Sequence, residues 1–91
     1  MQPSSELGRE QVRQVWRYLN GETRLEDLEE WSVSRFQALL TVPDPQAQSL
    51  FNGIEADLIE LGLGLLTEQE MRQHLEGLAR EAETVECAFA L

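Results

Sequence analysis

Leu19-Asn20-Gly21-Glu22-Thr23-Arg24-Leu25-Glu26-Asp27-Leu28-Glu29-Glu30-Trp31 closes one helix, turns, and opens the next. Asn20-Gly21 can take the left-handed backbone conformation that ends a helix. Thr23 and Glu26 have the spacing of a capping box, in which each side chain satisfies a backbone donor left free at the helix start. The same stretch carries five carboxylates in nine residues: Glu22, Glu26, Asp27, Glu29 and Glu30.

Upstream, Val12, Val15, Trp16 and Leu19 recur at i, i+3, i+4 and i+7, and predict a first helix over residues 5–19, capped by Ser4 or Ser5. Arg9, Arg13 and Arg17 form a basic stripe at i+4 spacing along it. Downstream, a second helix is expected over residues 24–41, with Leu25, Leu28, Phe36, Leu39 and Leu40 as its apolar set. Small Ser32 falls on that seam and leaves room for Trp31 or Trp16. Val42-Pro43 ends the helix, because a residue before proline is pushed into extended backbone.

Asp44-Pro45 then reads as an N-cap followed by proline in the first turn. Ala47, Leu50, Phe51, Ile54, Leu58 and Leu61 give a third helix over residues 45–61. Gly53 inside it marks either a close helix contact or a local defect, and Gly62 and Gly64 end it. Thr67 and Glu70 repeat the capping-box spacing, with Leu66 and Met71 placed for a hydrophobic staple. Met71, Leu75, Leu78, Ala82, Val85 and Phe89 keep the helical period, and a fourth helix is expected over residues 67–86. Short connections favour antiparallel neighbours. The expectation is an all-α single domain: an antiparallel four-helix bundle made of two helical hairpins.

Seventeen Asp and Glu stand against seven basic residues, for a formal charge of −10. Nucleic acid and anionic membrane surfaces would be repelled, so a basic protein is the natural partner. The single cysteine, Cys87, excludes an internal disulfide. No basic segment followed by an apolar one opens the chain, and no apolar run approaches membrane-spanning length. A cytoplasmic protein with a reduced Cys87 is expected.

Candidate chemistry is sparse. The lone histidine, His74, follows Glu70 by four residues, whereas carboxylate-bridged metal bundles use Glu-x-x-His with further inward glutamates. Cys87 has no companion base in sequence, and Gly62-Leu63-Gly64 lacks the strand and lysine of a phosphate loop. No enzyme activity, metal or cofactor is expected. Glu68, Arg72, Glu76 and Arg80 alternate in sign at i+4 and read as a solvated ion-pair ladder. Glu22, Glu26 and Glu30 share that spacing but are all negative, and neither Arg24 nor Arg35 stands at a compensating position. The third helix adds Glu55, Asp57 and Glu60 with no basic residue among them.

Tyr18-Leu19-Asn20-Gly21-Glu22, leading into Leu25-x-x-Leu28-x-x-Trp31, resembles the opening of colicin D-type immunity proteins and related short bacterial helical proteins. The resemblance implies a four-helix acidic inhibitor that occupies the basic active cleft of a ribonuclease toxin. Glu22, Glu26, Glu29, Glu30, Asp57 and Glu60 are then the expected contact acids, with Trp31 an aromatic anchor or a core residue. The alternative is a structural adaptor that forms a homodimer or docks on a larger assembly. Its contact would be Trp31, Val33 and the terminal Ala88-Phe89-Ala90-Leu91.

Overall fold

Five α-helices follow one another: α1 Glu6–Leu19, α2 Leu25–Ser34, α3 Phe36–Thr41, α4 Pro45–Gly62 and α5 Glu68–Ala90. The computed structural model describes residues 6–41 and 44–90, with side chains as far as Glu83, and contains no strand among them. The expected cap at Ser4 or Ser5, the extended Val42, and the side chains of Val85, Cys87 and the terminal Ala88-Phe89-Ala90-Leu91 run lie outside the described residues.

The α1–α2 and α4–α5 connections are turned by the same device. At the end of α1, the Gly21 N–H donates to the Tyr18 carbonyl and the Glu22 N–H to that of Arg17. At the end of α4, Gly64 and Leu65 do the same to Leu61 and Glu60. Both are Schellman endings, with the left-handed position taken by Gly21 at φ 80° and Gly64 at φ 75°. In each turn the next helix is capped three residues after that glycine, by Arg24 and by Thr67.

That register corrects the expected Thr23–Glu26 capping box, which does not form. Thr67 and Glu70 do make the reciprocal pair, at 2.9 and 3.1 Å. Two hydrogen bonds from Thr67, the backbone N–H first, hold the Glu70 carboxyl below the usual carboxylate range. At the first turn Arg24 is the N-cap residue instead, and its backbone N–H donates to Asp27 at 2.8 Å. Thr23 occupies the position that Leu66 holds in the second turn, where a staple wants an apolar side chain. Its hydroxyl is buried without a partner. Thr23→Val keeps the shape and removes the orphaned hydroxyl, so it should stabilise the fold by about 1 kcal/mol in urea titrations; a loss of stability would contradict this register.

One core cluster joins Val15 and Tyr18 of α1, Leu28 of α2, Leu50 and Ile54 of α4, and Met71, Leu75 and Ala79 of α5. Val12, Trp16, Leu19, Leu25, Leu58 and Leu61 pack around it as half-buried flanks. α5 runs antiparallel to both α1 and α4, as Trp16 facing Arg80 and Tyr18 facing Glu68 show on one side, and Gly53 facing Leu78 and Asp57 facing His74 on the other. Gly53 marks a close contact: a Cβ there would lie 2.8 Å from a Leu78 methyl.

The second expected helix is two helices. Arg35 leaves helical geometry at φ −105°, ψ 3°, and divides α2 from α3. Ser34 sits immediately before the break, and its hydroxyl donates to the Trp31 carbonyl at 2.8 Å, sharing that acceptor with the Arg35 N–H at 3.1 Å. The bend carries Leu39 onto Ala47 and Phe51 in a second, smaller cluster completed by Leu7. Leu28, Ser32 and Leu39 face inward, whereas Phe36 and Leu40, expected inside, are 45 % and 57 % exposed. Phe36 keeps one edge on Phe51, with ring centroids 5.7 Å apart.

Candidate functional site

The acidic stretch lies where the end of α1, the start of α2 and the start of α5 meet. Three side chains of α5 and α1 fix that junction. The Tyr18 hydroxyl donates to Glu68 at 2.6 Å, and the Arg72 guanidinium donates to the Leu19 carbonyl at 2.7 Å. Arg72 also lies over the Tyr18 ring, 4.9 Å from its centroid. Burial, and then the bond to Glu68, push the Tyr18 hydroxyl up from 10.0 to about 12. The expected ladder along α5 is therefore only half formed. Arg80 pairs with Glu76 at 3.0 Å, but Arg72 is drawn across to α1.

From this anchored junction Glu22 projects out of the turn, and Glu26, Glu29 and Glu30 project from α2; all four are exposed. Trp31 is half-buried. Arg24 compensates more than the sequence pattern indicates, standing 3.6 Å from Glu26 and 4.0 Å from Asp27. Such exposed pairs are weak, about 0–1 kcal/mol. Among the described residues, no basic side chain pairs with Glu22, Glu29 or Glu30. The stretch can therefore present a net negative surface on a rigid mount.

Asp57 and Glu60 stand on a different helix. They sit on α4, which packs on α5, α1 and α3, while α2 packs on α1 and α3. Asp57 is buried at 7 % exposure, and Glu60 is half-buried. One Asp57 oxygen lies 3.4 Å from His74 Nδ1, and the other is buried with no hydrogen-bond partner. Glu70, four residues before His74, is engaged by Thr67 instead. Only the antiparallel pairing of α4 and α5 brings Asp57 to the histidine.

Gln11 is a functional-looking polar residue that periodicity placed nowhere. It is fully buried, and its amide donates to the Ala47 carbonyl at 3.0 Å, tying α1 to the start of α4. Asp44 caps that start as expected, accepting from the backbone of Gln46 and Ala47. Among the described residues, no three His, Cys, Asp or Glu side chains converge to hold a metal ion, and no helix is long and apolar enough to cross a membrane. No family model matches the sequence, and no curated protein or solved structure gives a significant match to it.

Proposed function

We propose that this chain is an acidic helical binding protein, a stoichiometric inhibitor of the immunity type that blocks the basic nucleic-acid cleft of a nuclease or toxin. The observation that carries this reading is the trio of exposed, unneutralised carboxylates Glu22, Glu29 and Glu30 on a turn and helix held by Tyr18, Arg72 and Leu28. Like charges held together destabilise the compact state, and a basic partner offsets that cost. The carboxylates stand in for substrate phosphates, Glu26 contributes beside Arg24, and Trp31 packs at the rim. In the same reading α2 and α3 jointly serve as the fourth member of an antiparallel four-helix bundle. The protein acts by binding and not by catalysis, in the cytoplasm, without a cofactor.

The test is titration into basic ribonuclease domains. Inhibition should saturate at equal molar amounts, and Glu29→Lys with Glu30→Lys should weaken it at least about tenfold at low salt. Full inhibition by the double variant, or none by the wild type across the set, would refute the reading.

A second reading is favoured by a different observation. Val33, Phe36 and Leu40 are 74 %, 45 % and 57 % exposed and recur at i, i+3 and i+7 across the α2–α3 bend. They would form the contact of a homodimer or of an adaptor on a larger assembly. A salt-insensitive dimer in light scattering supports that reading; a monomer that binds a basic protein supports the first.

A further inference from the structure

The groove between α4 and α5 is floored by Gly53, Ala56, Gly77 and Leu78, with Asp57 and His74 toward one end and Glu81 toward the other. A Cβ at Gly77 would meet nothing within 4 Å, so the groove is open there. Asp57 lines it while being nine-tenths buried. One of its oxygens has no hydrogen-bond partner, and the other meets only the His74 ring at 3.4 Å, too long for a strong bond. A buried carboxylate with so little compensation is costly, and a cation that donates to it removes that cost. His74 can yield, because its side chain is 56 % exposed.

We propose that this groove is a binding site for an arginine side chain of a protein partner, its guanidinium on Asp57 and its aliphatic stem along Gly77 and Leu78. Charge selects the class, since two carboxylates line the groove and no Arg or Lys does. Geometry selects the group. A guanidinium needs only one N–H on the Asp57 oxygen that His74 now faces, and it tolerates loss of water better than an ammonium. The Gly77 position admits the stem, because it carries no side chain and nothing stands within 4 Å of where one would begin. The site lies on α4 and α5, apart from the α2 carboxylates. It extends the binding reading above but is testable without any partner.

His74 is the chain's one histidine, so its ring proton resonances report on the groove without assignment of the rest. N-acetyl-arginine amide should shift them saturably, whereas N-acetyl-citrulline amide, of similar shape but neutral, should not. Asp57→Asn should weaken the arginine response at least about tenfold, as expected for loss of a charge-assisted pair. Gly77→Leu fills the groove at an exposed position without touching Asp57, and should weaken it equally even if the Asp57 variant is poorly folded. Equal responses to arginine and citrulline, or unchanged arginine binding by Gly77→Leu, would overturn the assignment. Failure of the inhibitor reading with this titration intact would leave the groove standing, and the converse also holds.

Discussion

Leu28→Ala is expected to cost about 2–5 kcal/mol of unfolding free energy, while Leu40→Ala changes stability by about 0.5 kcal/mol or less. Leu28 is 1 % exposed and is the residue of α2 in the main core cluster; Leu40 is 57 % exposed. Removing Leu28 takes away the transfer energy of three carbon atoms and leaves a cavity in that cluster. For a 91-residue chain that is a large part of total stability. Leu39→Ala should resemble Leu28→Ala, since Leu39 is fully buried against Ala47 and Phe51. Urea titration of the three variants decides the matter. Equal losses at Leu39 and Leu40 would mean that the chain does not bend at Arg35.

The alkaline limb of stability is expected to belong to Tyr18. Its hydroxyl titrates near 12 in the folded chain against 10.0 in the unfolded one. Burial, and then the bond to Glu68, favour the neutral phenol. A folded value above the unfolded one gives stability that is fully present below about pH 10 and is lost as pH rises toward 12. A difference of about two pH units corresponds to roughly 2–3 kcal/mol. Tyr18 is the chain's one tyrosine, so tyrosinate absorbance follows the titration directly. Tyr18→Phe should remove this part of the alkaline slope, and a wild-type absorbance midpoint near 10 would contradict the buried Tyr18–Glu68 bond.

Local signals in the sequence are decisive where a single frame of residues carries them. Gly64, Thr67 and Glu70 specify a helix end, a cap and its reciprocal partner within seven residues, and all three form. Asp44-Pro45 is equally self-contained. The first turn misled because two overlapping frames, Thr23-x-x-Glu26 and Arg24-x-x-Asp27, satisfy the same spacing. The distance from Gly21 to the cap chooses between them, and it matches that from Gly64 to Thr67. Residue spacing alone carries no mark of the break, which is visible only as the departure of Arg35 from helical geometry. Long-range pairings carried no signal at all. Arg72 could reach Glu68, Glu76 or α1, and only the packing of α5 on α1 sends it to Leu19 and Tyr18. Asp57 was read as a surface acid because its neighbours Glu55 and Glu60 suggest one; the α4–α5 contact buries it.

The candidate site divides in the same way. Glu22, Glu26, Glu29 and Glu30 were legible as a group because they share one turn and one helix, and they are exposed together. Asp57 and Glu60 share the charge count but stand on α4, where Asp57 is buried and Glu60 half-buried. Arg24 was discounted by helical spacing, yet from the N-cap position its side chain folds back over the first turn to Glu26 and Asp27.

The most direct test of the account is the association rate of the wild type and of Glu29→Lys with Glu30→Lys toward a basic ribonuclease, followed by stopped flow across a salt series. Opposed charge can speed encounter by about 10–1,000-fold at low salt, an advantage that falls steeply as salt rises. The wild-type rate should drop with salt, and the variant rate should start at least about tenfold lower and stay nearly flat. Two rates that coincide at low salt would contradict it.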